Sequence, residues 1–256
     1  MSDAPVSIGV AGSLDPAVIA RIAAAAEAAG LYALWVNDTP GGDALAAVHE
    51  AARVTDRLVL GTGVVPLDRY TPDEIVAKAA DLPVDRFILG IGSGQASGPV
   101  LAPLRNAVDA LRERTSAQIV VGALGPKMRA LAVEAADGML LNWLTPQLAA
   151  AQSAEAHEVA PGAHVALYVR TALDDDGMPR LRAEAERYAR FPKYAANFAR
   201  LQIAASDTVL TPGDAEDRLP GFRVAADEIV LRAIVASDDA AAYERFIERA
   251  GELAGR

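Results

Sequence analysis

Short apolar runs recur at regular intervals along this 256-residue chain, and this spacing is the strongest constraint on its fold. The first seven of eight strand-like runs start 20 to 32 residues apart, and all eight start at Val6, Tyr32, Leu58, Arg86, Gln118, Gly138, His164 and Glu228. Several runs, such as LVL at 58–60 and IVV at 119–121, are continuous rather than alternating, which is typical of parallel strands covered on both faces. The spacing therefore predicts strands that alternate with helices.

Proline marks the predicted helix starts, because its missing N–H and fixed φ suit the first helical position. Five dipeptides place proline there: Asp15-Pro16, Thr71-Pro72, Gly98-Pro99, Gly125-Pro126 and Thr145-Pro146. Thr71 and Glu74 also have the spacing of a capping box. Gly30 is predicted to stop the first helix.

Eight strands and their crossovers in 256 residues match a TIM barrel, which needs about 250. The predicted fold class is α/β, a (β/α)8 TIM barrel forming a single domain over residues 1–256. A helical insertion is expected between strands seven and eight, with helices near Pro179–Arg190 and Lys193–Ala205. A doubly wound sheet is the competing fold, but Gly9–Ser13 is one glycine short of the fingerprint it needs.

Composition excludes several classes of function. The absence of cysteine excludes disulfides, thiolate catalysis and iron–sulfur clusters, and three histidines isolated in sequence indicate no metal site. A net charge of −10 argues against binding to nucleic acid, which requires clustered Lys and Arg. Because no signal peptide or apolar span is visible, we expect a cytoplasmic protein without membrane contact.

One glycine turn has the features of an anion site. The β-branched run Ile119–Val121 leads into Gly122–Gly125, and Pro126 then begins an amphipathic helix. A helix that starts from such a turn presents unsatisfied N–H groups and a positive dipole end. The alternative is that the Gly-Pro pair only marks the junction between loop and helix.

In a TIM barrel the chemistry lies at the C-terminal ends of the strands. Glycines recur there after the third, fourth and fifth predicted strands, in Gly61–Gly63, Gly90–Gly94 and Gly122–Gly125. We expect the backbone at these glycines to pass close to a flat or anionic group.

The chain resembles the luciferase-like monooxygenase superfamily, which includes oxidoreductases that use the deazaflavin coenzyme F420. Four segments carry the resemblance: LWVND at 34–38, LVLGTGVVPLDRYTP at 58–72, RFILGIGSGQ at 86–95 and VGALGPKMRALAVEAADG at 121–138. The resemblance implies a TIM barrel that holds coenzyme F420, or alternatively FMN, across its mouth. It also implies hydride transfer to or from a small-molecule substrate, and it leaves a homodimer open.

The resemblance implies particular cofactor-binding residues. Asp38 would lie near the ring, and Gly63 and Val64, joined in deazaflavin-using relatives by a cis peptide bond, would support it from beneath. The remaining candidates, expected near the phosphate or polar tail or at the mouth, are Ser93, Gly94, Gln95, Ala123, Leu124, Gly125, Pro126, Lys127, Asn142 and Arg170.

Two positions depart from the family pattern. Dehydrogenase relatives have a histidine and a glutamate where this chain has Thr39 and Gln95, and neither of these side chains titrates near neutral pH. The catalytic residues therefore stay unassigned, with Asp38, Thr39 and Gln95 as weak candidates. Three functions remain open: an F420-dependent oxidoreductase, an FMN-dependent monooxygenase acting on paired donors with O2, and a protein that binds the cofactor without turnover.

Aromatic residues near the mouth have two interpretations. Trp143 is expected to stack near the cofactor, whereas Trp35 is expected in the core. The segment Arg190–Tyr194 either supplies aromatic and basic walls for a substrate or forms a helix corner in which Phe191 and Tyr194 are buried.

Overall fold

The computed structural model describes residues 3–255 of the chain. Its strands are β1 Val6–Ala11, β2 Ala33–Asn37, β3 Val59–Thr62, β4 Val65–Pro66, β5 Phe87–Gly92, β6 Gln118–Gly122, β7 Gly138–Asn142, β8 His164–Thr171 and β9 Glu228–Ala233. Its α-helices are α1 Pro16–Ala28, α2 Ala44–Ala52, α3 Pro72–Ala79, α4 Leu101–Arg112, α5 Pro126–Ala135, α6 Pro146–Val159, α7 Met178–Arg190, α8 Pro192–Leu201, α9 Ala215–Arg223 and α10 Ala240–Ala254.

The strands form one closed parallel barrel. They lie side by side in the order β3-β2-β1-β9-β8-β7-β6-β5-β4, and β3 also pairs with β5, with Leu60 opposite Phe87. Because β3 and β4 are two pieces of one strand interrupted at Gly63 and Val64, the barrel has eight strands. The predicted TIM barrel is confirmed, and every predicted strand start lies within one residue of the observed one.

Alternate residues of the strands fill the inside of the barrel. The interior cluster consists of Ala33, Trp35, Ile88, Val120, Leu140, Ala166, Tyr168 and Val230, with Val59 and Val64 packed against it. Interior glycines make room for the two large rings. A Cβ atom on Gly61 would lie 2.7 Å from Trp35 Cδ2, and one on Gly9 would lie 2.7 Å from the Tyr168 hydroxyl. The outward-facing strand residues pack against the surrounding helices in a second, larger core.

Most predicted helix starts are confirmed. Helices α1, α3, α5 and α6 each begin at a proline, the Thr71–Glu74 capping box is present, and Gly30 follows α1 with a φ of 72°. The expected start at Pro99 is wrong, because α4 begins at Leu101 with Val100 as its N-cap. Gly98 adopts a φ of 92°, so the chain is still turning when it reaches Pro99.

The helical insertion between the last two barrel strands is present as α7, α8 and α9, referred to below as the insertion. Helix α8 ends at Leu201 rather than Ala205, because Gln202 adopts the left-handed conformation with a φ of 58°. Helix α9 was not predicted, since Pro220 and Gly221 lower the helix propensity of its sequence. Within residues 3–255, every helix is too short or too polar to cross a membrane.

Candidate functional site

The C-terminal ends of the barrel strands surround one opening. At this level most inward-facing residues are partly exposed, although Gly92 and Arg170 are buried, and the inward-facing residues deeper in the barrel are buried as well. We call these residues the C-terminal rim: Ala11, Asn37, Gly63, Val64, Gly122, Asn142 and Arg232. Tyr168 and Leu140 lie next to Gly63, since a Cβ atom there would be 3.0 Å from the Tyr168 hydroxyl and 3.2 Å from Leu140 Cδ2. The glycine-bearing C-terminal ends of β3, β5 and β6 therefore lie side by side on one side of a single opening.

Gly63 and Val64 lie on this rim and are joined by a cis peptide bond, as the resemblance implies. The side chain of Val64 extends over the neighbouring strands. A Cβ atom on Gly92 would lie 2.6 Å from Val64 Cγ2, and one on Gly122 would lie 3.1 Å from Val64 Cγ1. The expectation of a ligand close to the glycine is thus corrected at Gly92 and Gly122, because these two make room for a valine of the same chain, and at Gly63 and Gly125 it stays a prediction.

Asp38 is tied into the loops beside the opening. Its side chain is 1% exposed, and its Oδ1 lies 2.5 Å from Arg69 Nη1 while its Oδ2 accepts a 3.0 Å hydrogen bond from the Ala44 amide. Burial raises the pKa of Asp38, and the Ala44 N–H and the Arg69 charge oppose that shift only in part. Arg69 also donates to the carbonyl oxygens of Thr39 and Gly42 at 3.3 and 3.1 Å. Asp38 and Arg69 therefore fasten the loop after β2 to the loop after β4.

The pairing of Arg69 with Asp38 could not be predicted from the sequence, since the two residues are 31 positions apart. Both lie within segments that carry the family resemblance, but no spacing rule joins them. Thr39 is half-buried beside this pair, and its hydroxyl lies 3.4 Å from the Ser13 hydroxyl.

The loop Ser93–Gln95 binds the carboxylate of Asp68. The Gln95 amide donates to Asp68 Oδ2 at 2.8 Å, and Asp68 lies against Gly94, whose φ is 58°. An anionic cofactor group at this loop would be repelled by the charge of Asp68. The Gln95 amide could not donate to that group, because it already donates to Asp68. Ser93 is half-buried and Gln95 is exposed, just beyond the end of β5.

The turn before α5 is open. Gly125 is the N-cap of α5 and supplies no side-chain cap, and no atom lies within 4 Å of the position that its Cβ would take. Five other helices have their first turns capped by Asp15, Asp43, Thr71, Thr145 and Asp239. Helix α5 lacks such a cap, as do α4, α7, α8 and α9. The Met128 amide donates to the Gly125 carbonyl at 3.0 Å, so the amides of Gly125 and Lys127 are the donors left without a partner in residues 3–255, as the sequence predicts.

The residues around this turn divide into buried and exposed positions. Ala123 is buried and its amide donates to the Leu140 carbonyl at 3.0 Å, so it anchors the turn rather than lining it. Leu124 is half-buried and Pro126 is exposed. Lys127 is also exposed and makes no ion pair or hydrogen bond with any residue that the structure describes, so its ammonium group is available to an anion.

Arg170 is bonded to and stacked on other side chains of the protein. It is 3% exposed, its Nη1 donates to Asn142 Oδ1, and its Nε lies 3.1 Å from Glu184 Oε1 on α7. Its guanidinium also stacks on Trp143 at 4.2 Å and on Tyr188 at 4.9 Å. Arg170 therefore joins the rim to the insertion, and this geometry gives little support to its expected contact with the cofactor tail.

Trp143 is covered by the insertion. Its ring is 1% exposed and contacts Tyr188 and Phe198 at centroid distances of 5.0 and 5.9 Å, so the expected stacking on a cofactor is wrong. Its Nε1 is buried with no acceptor among the described residues. Trp35 is confirmed in the core, where its Nε1 donates to Glu228 Oε1 at 2.6 Å.

The segment Arg190–Tyr194 combines both interpretations made from its sequence. Phe191 is 42% exposed, whereas Tyr194 is half-buried against Tyr188 at 4.8 Å, and burial raises its pKa to about 12. Lys193 Nζ donates to the Ala96 carbonyl at 3.2 Å, beyond the end of β5. The insertion therefore reaches the loop after β5, and the aromatic and basic wall for a substrate stays a prediction.

Two surface cavities of about 330 and 310 Å³ lie at the opposite end of the barrel. The first is lined by residues that precede β1 and β9, and the second by residues that precede β5 and β6. That end of a TIM barrel usually serves stability rather than chemistry. In the part of the chain that the structure describes, no three His, Asp or Glu side chains are grouped to hold a metal ion.

Comparisons with known proteins agree with this architecture. A sequence model of the luciferase-like monooxygenase family matches residues 4–100, which include three of the four segments that carry the resemblance. No curated protein matches the sequence.

Solved structures with a similar fold include two F420-dependent enzymes and a monooxygenase. A coenzyme F420-dependent tetrahydromethanopterin reductase from Methanopyrus kandleri is 16% identical, with a TM-score of 0.74 over 98% of each chain. An F420-dependent secondary alcohol dehydrogenase, solved with an F420-acetone adduct, is 15% identical, with a TM-score of 0.77 over 100% of each chain. An EDTA monooxygenase from Chelativorans sp. BNC1 is 12% identical, with a TM-score of 0.71 over 99% of this chain and 94% of that one. The family match confirms the resemblance, and these structures confirm the fold.

Proposed function

We propose that this protein is a coenzyme F420-dependent oxidoreductase that transfers hydride between the deazaflavin and a small organic substrate at the C-terminal rim. One observation carries the proposal: an open, uncapped helix start with a free lysine lies beside a partly exposed barrel mouth. A flat redox ring needs a partly exposed mouth in which to lie, and its phosphate-bearing tail needs free N–H groups and a positive charge at the same end of the barrel. Two of the structural neighbours use coenzyme F420, which supports this choice of cofactor.

Individual rim residues fit such a cofactor. Gly63 and Val64 provide an apolar surface for one face of the ring. Asn37 donates through Nδ2 to the Gly63 carbonyl, and its Oδ1 is buried with no donor in residues 3–255, so this oxygen is ready to accept from a ring N–H. Gly125 and Lys127 would hold the phosphate through backbone N–H groups and one charge. The bound deazaflavin would supply or accept the hydride.

The rim offers no obvious protein acid or base. Thr39 and Gln95 do not titrate near neutral pH, and Asp38 is buried in its pair with Arg69. A reaction that needs no protein base, in which solvent supplies the proton, suits this site best. Reduction of an activated double bond is therefore favoured over oxidation of an alcohol.

FMN-dependent oxygenation is the second candidate. The polyglutamyl tail of coenzyme F420 is repelled by a chain with net charge −10 and by Asp68 on the loop after β5. FMN carries the same kind of ring and phosphate without that tail, and the EDTA monooxygenase shows a related fold in an oxygenase.

The test is to titrate the full chain with coenzyme F420 and with FMN, and then to assay each loaded protein. Oxidation of reduced F420 would be followed anaerobically with 2-cyclohexen-1-one as the acceptor, and oxygen uptake would be followed with reduced FMN. F420 binding with acceptor-dependent oxidation is the expected result. FMN binding with oxygen uptake and no F420 binding would replace the proposal with the second candidate. Binding without turnover of either cofactor would leave a cofactor-binding protein instead.

A further inference from the structure

Two arginines end the neighbouring strands β8 and β9 at the same level. Arg170 lies opposite Arg232 in the parallel register. Tyr168 and Val230, two residues earlier on each strand, belong to the interior cluster. Because side chains two apart on a strand share a face, both arginines lie on the inner side of the barrel at its C-terminal end.

The two arginines share one carboxylate, because the charges of both Arg170 and Arg232 help to lower the pKa of Glu184 against its burial. Arg170 is buried and paired with Glu184, whereas Arg232 is half-buried and has no carboxylate oxygen within 4.0 Å in residues 3–255. Arg232 Nη1 donates to the Ala233 carbonyl at 2.5 Å, and its guanidinium also contacts the Tyr243 hydroxyl. A guanidinium has five N–H donors, so several of them are left for a ligand. Two guanidinium groups facing one carboxylate leave one positive charge in excess on this side of the opening.

A second donor lies on the same side of the rim. Asn142, on β7, is half-buried and accepts the hydrogen bond of Arg170 with its Oδ1. Its amide nitrogen therefore faces away from Arg170 and has no acceptor in the described part of the chain. Arg170 thereby fixes Asn142 so that it presents donors to the opening. Asn142 and Arg232 flank β8 on the inner side of the barrel, and an amide N–H₂ together with a guanidinium that shares its only nearby carboxylate is a donor set suited to an oxyanion.

This donor set is separate from the turn proposed for the cofactor phosphate. With β3 and β4 counted as one strand, β9 is the eighth strand and lies across the barrel from β5, the fourth. It is also three strands away from β6, whose end leads into Gly125 and Lys127. A single phosphate cannot occupy both places, so an anion at Arg232 is a separate group, either of the other reactant or of the cofactor's carboxylate tail.

We propose that Arg232, assisted by Asn142, binds an anionic group of the substrate, which is therefore a small organic carboxylate, sulfonate or phosphate. This inference rests on the proposed function, since it takes the cofactor to lie on the opposite side of the opening. Tyr188 packs on Arg170, and Phe191 and Tyr194 pack on Tyr188, so aromatic side chains border this side. An aromatic anion such as benzoate is accordingly the first probe.

The test is calorimetric titration of the full chain with benzoate and with benzamide, its uncharged analogue, in the presence and absence of saturating cofactor. The variants are Arg232→Gln, Arg232→Lys and, as a charge-matched control, Arg182→Gln, because Arg182 is exposed on α7 and makes no hydrogen bond or ion pair with a described residue. We expect benzoate to bind the wild type and Arg182→Gln alike. Arg232→Gln should weaken benzoate at least about tenfold, and Arg232→Lys should weaken it less, since a lysine keeps the charge but loses the bidentate geometry. Benzamide should bind weakly to every variant.

Cofactor affinity separates the two proposals. If Arg232→Gln leaves cofactor affinity within about twofold and removes benzoate binding, the substrate subsite is supported. Equal benzoate affinity in Arg232→Gln and wild type, or no benzoate binding to a protein that binds cofactor, would overturn it. A loss of cofactor affinity in Arg232→Gln would assign Arg232 to the cofactor tail instead. If the wild type binds neither cofactor, the proposed function fails, and the titration without cofactor still decides whether Arg232 binds anions.

Discussion

The side chain of Val64 occupies the space that glycine leaves at position 92, since a Cβ atom on Gly92 would lie only 2.6 Å from Val64 Cγ2. The apolar surface of the rim therefore depends on a glycine in the neighbouring strand. Gly122, on the next strand, borders the same valine, so three strand ends are fitted around one side chain.

Replacement of Gly92 by alanine should displace Val64 and destabilise the protein. We expect the free energy of unfolding to fall by about 1–3 kcal/mol, as for other overpacked sites, and cofactor affinity to fall with it. Urea denaturation measures the first effect. Adding Val64→Ala to Gly92→Ala should recover part of the loss. Gly162→Ala is the control, because nothing lies within 4 Å of its Cβ position, and it should change stability by less than about 0.5 kcal/mol. A Gly92→Ala protein as stable as the wild type would refute this packing.

Replacement of Asp38 by asparagine should loosen the loops beside the opening. Arg69 would lose its carboxylate while it keeps its carbonyl acceptors, so we expect a loss of about 1–3 kcal/mol in the free energy of unfolding. Asp238→Asn breaks an ion pair with Arg180 in which Asp238 is 64% exposed, and it should lose at most about 1 kcal/mol. Equal losses of stability in the two variants, measured by thermal denaturation, would show that the ion pair of Asp38 with Arg69 stabilises the fold no more than an exposed ion pair does.

The pair formed by His164 and Glu228 should make stability depend on pH. Glu228 is fully buried and accepts a 2.8 Å hydrogen bond from His164. Burial by itself lowers the pKa of His164, but the hydrogen bond and the charge of Glu228 outweigh it, so the pKa is raised above the ordinary value of 6.5. The stabilisation is therefore fully present below about pH 6.5 and is lost as the pH rises through the higher value in the folded protein. The difference in unfolding free energy between wild type and His164→Gln should shrink as the pH rises above about 6.5. An NMR titration of the His164 ring with a midpoint at or below 6.5 would contradict this.

Replacement of Lys127 by alanine should weaken only ligands that carry a phosphate. Lys127 makes no ion pair within residues 3–255, so its loss should disturb the fold little. We expect FMN affinity to fall about tenfold, equivalent to about 1.4 kcal/mol, while riboflavin affinity is unchanged. Fluorescence titration of both ligands tests this. A parallel loss for riboflavin would place Lys127 near the ring rather than the phosphate.

The fold could be predicted because its signals are local. Continuous apolar runs, prolines at Pro16, Pro72, Pro126 and Pro146, and the Thr71–Glu74 capping box each act within a few residues of the element that they define. Helix α9 could not be predicted from such local signals, because Pro220 within it suggests a loop. Packing on the barrel keeps this segment helical.

The candidate site was predicted less completely, because its decisive contacts join residues far apart in sequence. The pairs Asp38–Arg69 and Asp68–Gln95 are 31 and 27 positions apart, and no periodic pattern links their members. The glycines at the strand ends also make contacts that cannot be predicted from the sequence. Glycine at 92 or 122 predicts a close approach, but only the fold shows that the approaching group is Val64.

Hydrogen exchange of the full chain with and without saturating coenzyme F420 tests the central claim most directly. If the C-terminal rim holds the cofactor, amides in residues 61–66, 92–97 and 122–128 should be protected on binding, while the cavity at the opposite end, near Arg223 and Asp227, stays unchanged. Protection confined to that opposite end, or no protection of the three loops at saturating cofactor, would contradict the account.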